Sequence, residues 1–326
     1  MIKKNSPYAR WQTLRKENFD LYYNDNNTES FDCQVDKILR KARVHKGYNK
    51  KVIDWLESEG QLEKAENVRE CATMFGITNI SGIAHVTKAN FCRERICSVC
   101  AWRRQSKFVA QMSPVMSHLE KKGYEFLFVT LTVKNVNYVN LGDCVDLILK
   151  GYDRLLHNRK IKNSWCGKVR SLEVTFNSNT KTFHPHIHIL FAVRKDYFKN
   201  EDYISLDELI SIWKKSVRAE YSPSVEIQKV TDGEKGAVET LKYAFKPSVD
   251  ELALKGFFYV LKNRRLVSFS GVFAEVRKLL KFSSIEDVLT DDVGNVNKQQ
   301  KFSCVLYKFD STGGVYRFFE KIETEV

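Results

Sequence analysis

Three of the seven histidines in this chain fall within five residues, at positions 184, 186 and 188 of "TKTFHPHIHILFAV" (180–193). Successive side chains of a strand point to opposite faces. His184, His186 and His188 would therefore project from one side, and Ile187 and Ile189 from the other. Neutral imidazoles at that spacing can converge on a divalent ion. A lone histidine on a half-buried strand is ordinarily a satisfied core or surface residue; two or three on one face favour a metal. Pro185 has no N–H to donate, which predicts a place at the start of the strand or on a sheet edge.

A third ligand can come from a neighbouring strand. "RSLEVTF" (170–176) has strand composition, and "NSNTKT" between it and the histidines supplies hairpin turn residues. That pairing sets Glu173 close to opposite His186. A carboxylate oxygen beside two imidazoles suits Mg²⁺ or Mn²⁺ bound to a phosphate better than an all-thiolate set would. The competing reading of Glu173 is an exposed strand carboxylate.

Two further groups carry chemistry. In "AVETLKYAFKPSVD" (237–250), Glu239 and Tyr243 lie four residues apart on one helix face, with Lys242 and Lys246 flanking the tyrosine. A phenol is a poor nucleophile at its usual pKa near 10; a polarised phosphate or a nearby ammonium would help it attack, and Glu239 could serve as base. Taken alone, the pair reads better as a half-buried amphipathic Tyr beside a solvated Glu. Of eight cysteines, Cys92, Cys97 and Cys100 cluster in "CRERICSVC" (92–100), with Cys71 as an upstream fourth thiolate and His85 as its substitute. Such a set could hold a structural zinc, against buried unmetallated thiols. In "AWRRQSK" (101–107), Arg103, Arg104 and Lys107 sit where phosphate contacts are plausible, against a solvated basic helix face.

The elements that must position these groups follow from periodicity. "YEFLFVTLTV" (124–133) reads as a buried strand and "LGDCVDLILKGYDRLLHN" (141–158) as an amphipathic helix. The two hairpin strands follow. "SLDELISIWKKSVRAEY" (205–221) opens with a Ser205/Glu208 capping box, "SVEIQKV" (224–230) is a strand, and 234–246 is a helix. The order β-α-β-β-α-β is the split βαβ, ferredoxin-like one, with an antiparallel sheet and helices on one face. Residues 34–71 have helical spacing, and a terminal hairpin spans 301–320. The expected organisation is a mainly helical, zinc-stabilised DNA-recognition region over 1–115, an α+β nuclease domain over 116–285 and a hairpin extension over 286–326.

The chain of 326 residues is 43% apolar and 29% charged, as in soluble globular proteins. Lys and Arg outnumber Asp and Glu by 53 to 40, a net charge of +13 that favours a polyanionic partner. No long apolar run or secretory signal is evident, so no membrane association and a cytoplasmic location are expected. Eight cysteines in a chain this long do not make a secreted disulfide scaffold.

Together these stretches resemble rolling-circle plasmid replication initiators of the HUH endonuclease superfamily. "FLFVTLTVKN" (126–135) resembles the first motif of that family. "FHPHIHILFAV" (183–193) resembles its metal motif, with His186-Ile187-His188 as His–hydrophobic–His. "ETLKYAFKPSVD" (239–250) resembles the nucleophile motif of the subgroup with one catalytic Tyr and a helper Glu. The likeness runs over about residues 66–285 and includes "NFCRERICSVCAWRRQSK" (90–107). It implies that His186 and His188 ligate Mg²⁺ or Mn²⁺, with Glu173 as third ligand. Tyr243 would attack a phosphodiester of origin DNA, leaving a 5′-phosphotyrosyl link and a free 3′-OH. Glu239 would activate water at termination. Origin DNA, a host helicase and a host polymerase are the implied partners. The alternatives are an HUH transposase or relaxase, or a non-catalytic zinc-containing DNA-binding regulator.

Overall fold

A computed structural model describes residues 29–80, 82–230, 250–282 and 301–325. The chain divides into two units, residues 1–110 with 283–326, and residues 111–282. Both described parts mix helices with antiparallel sheet, an α+β architecture.

In the first unit, α1 (Phe31–Ser58) begins at Ser30, whose hydroxyl accepts from the Cys33 N–H. Its inner face carries Val35, Ile38, Ala42, Val52 and Leu56, which the helical period brings to one side. The buried Gln34 amide ties this helix to the next hairpin, donating to the Gly82 carbonyl and accepting from the Ala84 N–H, each at 2.9 Å. After α2 (Leu62–Glu70) the chain forms β1 (Met74–Ile80) and β2 (Ile83–Ala89). The chain's last described strands, β8 (Lys301–Asp310) and β9 (Val315–Glu325), complete one sheet in the order β2-β1-β8-β9. The region expected to be mainly helical therefore contains a hairpin. The terminal hairpin is no separate extension, because β8 pairs with β1 from Met74↔Lys308 to Thr78↔Cys304. Strand pairing between segments more than two hundred residues apart leaves no local mark in either one. Helix α3 (Ser98–Lys121) runs across the division between the units.

The second unit is built on β3 (Tyr124–Thr132), α4 (Leu141–Leu156), the short α5 (Arg159–Ser164), β4 (Trp165–Asn177), β5 (Thr182–Arg194), α6 (Leu206–Val217) and β6 (Val225–Val230). Beyond Asp250 follow α7 (Glu251–Val260), β7 (Val267–Gly271) and α8 (Val272–Leu279). The sheet order is β6-β3-β5-β4-β7, with every neighbouring pair antiparallel. Helices α4 and α6 are the crossovers between β3 and β4 and between β5 and β6. The Ser205 hydroxyl caps α6 by accepting from the Glu208 N–H, as its sequence requires. One sheet face buries Leu127, Val129, Leu131, Ile187, Ile189 and Leu172, while α4 contributes Val145, Ile148 and Leu155 and packs against β5 and α6. Each such side chain contributes about 1.5–3 kcal/mol by leaving water. Trp213, fully buried on α6, donates its indole N–H to the Thr132 carbonyl at 2.8 Å and so holds the end of β3.

Strand β5 is central, so Pro185 is not on an edge. It faces Val174 of β4, one residue beyond the end of the β3 pairing at Thr132↔His186, where no donor towards β3 is needed. The β4–β5 turn is closed by the Asn177 side chain, which accepts from the N–H groups of Asn179 and Thr180. β7 extends the sheet beside β4.

At the β7–α8 junction Gly271 has φ 57° and ψ −142°, a conformation open essentially to glycine alone. A Cβ there would lie 2.2 Å from the Cys166 carbonyl oxygen and 2.8 Å from the Cα of its strand partner Gly167. Gly271→Ala is expected to destabilise the protein by about 3 kcal/mol, the sum of backbone strain and overpacking. A urea melt of the variant checks this; an unchanged midpoint would show that the junction relaxes.

Candidate metal centres

The β4–β5 hairpin register sets Glu173 opposite His186 and Ser171 opposite His188. Side chains at these positions share the sheet face away from the Ile187 and Ile189 core. Glu173 Oε2 lies 3.2 Å from His186 Nε2 and 3.0 Å from His188 Nε2. All three side chains are buried, Glu173 to 1% exposure. A carboxylate so enclosed needs a compensating positive charge or proton. Two imidazole nitrogens and a carboxylate oxygen converging within 4.8 Å form a set that a divalent ion can join.

The rings are held from behind. His186 Nδ1 donates to the His184 carbonyl at 3.0 Å, and His188 Nδ1 meets the Thr130 hydroxyl at 3.1 Å. Phe128 stacks on His188 with centroids 5.4 Å apart and planes inclined by 16°. His184 stands outside the converging set. Its ring neighbours His186 at 5.1 Å, and burial, then the charge of His186, lowers its pKa. Its support of the centre comes through its backbone carbonyl, which any residue would supply.

In the other unit, Cys71 after α2, Cys92 after β2, Cys97 before α3 and Cys100 in the first turn of α3 bring their sulfurs together. The Sγ atoms are 3.6 Å apart for Cys71–Cys100 and Cys71–Cys97, and 3.7 Å for Cys92–Cys100. These are not disulfides. They approach the edge of a tetrahedron with metal–sulfur bonds of ~2.3 Å, which is about 3.8 Å. The fourth member is Cys71 and not the substitute His85, which lies on β2 opposite Thr78 of β1.

The backbone around the sulfurs is constrained. Ala72 and Arg93, each just after a cluster cysteine, have φ of 56° and 62°. Such left-handed non-glycine residues cost about 1–2 kcal/mol each, so the surroundings must impose them. The Cys92 N–H donates to Cys71 Sγ at 3.4 Å. Asn49, buried on α1, donates to Cys97 Sγ at 3.2 Å and accepts from the Ser98 N–H at 2.8 Å. Burial raises the Cys97 thiol, but hydrogen bonds from Cys100, Cys71 and Cys92 outweigh it and hold it well below the ordinary range. Hydrogen bonding to Cys71, Cys92 and Cys97 pushes Cys100 well above that range. Four sulfurs this close cannot all ionise without a cation among them.

The basic residues after the cluster are not on an open helix face. Arg103, Arg104 and Lys107 are 1%, 5% and 2% exposed. Arg103 lies over the rings of Phe91 and Trp102, and Arg104 donates to the Arg93 carbonyl at 2.6 Å. This burial does not fit a solvated basic helix face, and the cationic stem of Arg103 packs against aromatic rings. Tyr243, Glu239, Lys242 and Lys246 lie outside the described residues.

Sequence patterns had not singled out Asn49 or Thr130. Each is a buried polar residue within an otherwise apolar run, Asn49 among Ala42, Val52 and Leu56 on one helix face, and Thr130 after Phe126 and Phe128 on one strand face. That interruption is the signal that could have found them.

For the sulfur cluster, metal analysis of the purified protein is expected to give about one zinc per chain, falling to near zero in Cys97→Ser. A structural zinc contributes on the order of 10 kcal/mol. Its removal by a strong chelator should therefore lower the first melting transition by about 10 °C or more. Metal-free protein with an unaltered melt would exclude the site.

With both centres in place, the relationships of the chain become interpretable. Residues 83–317 match the family model described as "Replication protein", a span containing Glu173, His186 and His188 together with Cys92, Cys97 and Cys100. The chain is 33% identical to "Protein rep" of Streptococcus pneumoniae serotype 2 over 308 residues, covering 89% of this chain and 94% of that protein. It is 32% identical to "Protein rep" of a Bacillus species, covering 69% of this chain and 83% of the relative. It is 35% identical to "Protein rep" of Staphylococcus aureus over 49% of this chain and 72% of the relative. No solved structure gives a significant match. A family match over more than half the chain, joined to an identity of 33% over nearly all of it, means that the chain belongs to the replication-protein family.

Proposed function

We propose that the protein initiates rolling-circle replication of a plasmid by nicking one strand of the origin and rejoining DNA at termination. The observation that carries this reading is the convergence of Glu173 Oε2 with His186 Nε2 and His188 Nε2 on one face of a central strand. The strand order β6-β3-β5-β4, crossed by α4 and α6, supports a ferredoxin-like HUH arrangement for residues 111–282. The net charge of +13 and membership of the replication-protein family support DNA as substrate. Among the described residues no helix is long and apolar enough to cross a membrane.

His186, His188 and Glu173 would hold Mg²⁺ or Mn²⁺, whose chemistry when bound is Lewis-acid polarisation of a phosphate oxygen. Tyr243 is the nucleophile in this reading. Its phenol oxygen bonds to phosphorus, the P–O3′ bond breaks, the phenolic proton leaves to a base, and the 3′ oxygen takes up a proton. The products are a 5′-phosphotyrosyl link and a 3′-OH that a host polymerase extends behind a host helicase. Phosphodiester bond energy is kept in the new ester, so rejoining needs no nucleotide cofactor. Glu239 accepts a proton from Tyr243 or from the water used at termination, and Lys242 and Lys246 offer charge to the DNA backbone. Cys71, Cys92, Cys97 and Cys100 would hold a structural Zn²⁺ that shapes a DNA-recognition unit.

The test uses the full-length protein, a supercoiled plasmid bearing the cognate origin, and Mg²⁺ or Mn²⁺. Nicked circles and a covalent adduct mapping to Tyr243 are expected. Tyr243→Phe should abolish the adduct while leaving origin binding within about twofold. His186→Ala should slow nicking by about 100-fold or more, in the range of losing a metal centre. Origin binding without nicking or adduct in the wild-type protein would instead favour a non-catalytic regulator.

A further inference from the structure

The motif-like stretch "FLFVTLTVKN" (126–135) has no role in the reading above, yet it forms β3 and lies directly beside the histidine strand. We propose that Thr130 is the positioning residue for His188: its hydroxyl accepts the His188 Nδ1–H and so turns the Nε2 lone pair towards the cation site. The proposal rests on the metal reading of Glu173, His186 and His188.

The two imidazoles differ in how they are oriented. His186 Nδ1 faces the His184 carbonyl at 3.0 Å, and a carbonyl only accepts. A His186 ring that holds a cation through Nε2 therefore carries its proton on Nδ1. His188 faces a hydroxyl instead, Thr130 Oγ1, at 3.1 Å. Thr130 is paired with His188 across β3–β5 and is 8% exposed, so water is a poor substitute partner. A β-branched side chain in a strand has few χ1 states, which fixes the direction of its hydroxyl. Phe128, two residues earlier on the same face, stacks on the His188 ring and limits its tilt. β3 thus supplies both a plane and a hydrogen-bond acceptor to the ligand on β5.

The neighbours of Thr130 show that packing alone does not call for a hydroxyl. On its own face of β3 Thr130 follows the buried apolar residues Phe126 and Phe128, and valine has nearly the shape of threonine. Metal-ligating histidines usually direct the ring N–H not used for the metal to an outer partner, and losing that partner typically lowers metal affinity 10–100-fold.

The measurement is a Mn²⁺ titration of the full-length protein, following free Mn²⁺ by electron paramagnetic resonance, with thermal melts as a folding control. Thr130→Val should weaken Mn²⁺ binding 10–100-fold with little change in melting, and Thr130→Ser should return it to within about threefold of wild type. His188→Ala should abolish the site. Wild-type affinity in Thr130→Val, with binding still lost in His188→Ala, would overturn the role of Thr130 and leave the metal reading intact. Failure of Thr130→Ser to restore binding would equally overturn it, since packing rather than the hydroxyl would then matter. Indistinguishable titrations for the wild type and His188→Ala would overturn both the proposal and the metal reading.

Discussion

The register between β4 and β5 is the constraint on which the histidine centre depends. Glu173 meets His186 only because Phe176↔Phe183 and Asn177↔Thr182 close the hairpin with the Asn177 side chain inside its turn. A slip of one residue would send Glu173 to the helix-covered face and bring Arg170, Leu172 and Val174 to the imidazoles. What prevents it is the opposite face. Leu172 and Val174 are fully buried there, and a slip of β4 would take them out of that core at about 1.5–3 kcal/mol each. The apolar side of the sheet thus fixes the geometry of its polar side.

The two side-chain clusters follow the same logic with different chemistry. A carboxylate with two imidazoles on rigid strands is suited to a hard, exchangeable cation that also meets a phosphate. Four thiols gathered from a helix end, two loops and a helix start suit a soft, permanent one. Strands position the first set through register. The second set relies on Asn49 from α1 and on two left-handed residues, Ala72 and Arg93, to bend the chain around the sulfurs. Loops have no register, so a bound ion is well placed to supply the constraint that the sheet supplies at the other centre.

Much of the second unit was legible in the residues. The aromatic and β-branched run of 124–133, alternation in 183–193, three-and-four spacing in 141–158, and the Ser205/Glu208 cap each express a local preference that the tertiary structure obeys. Less legible were the pieces whose partners are remote. β7 pairs with β4 across about a hundred residues, and β1 with β8 across more than two hundred. The interior placement of Arg103, Arg104 and Lys107 was equally hidden, because composition reports charge but not which rings a long cationic stem will lie against.

The sequence by itself determined that His184, His186 and His188 share one face, that Glu173 stands opposite His186, and that Cys92, Cys97 and Cys100 lie close together. Period, turn length and short chain separation require as much. Only the tertiary structure decided which of the three histidines join the carboxylate, that Cys71 completes the sulfur cluster, and that Thr130 and Asn49 stand behind His188 and Cys97. Those choices turn on distances between strands and helices far apart in the chain, which only the packing of the whole core sets.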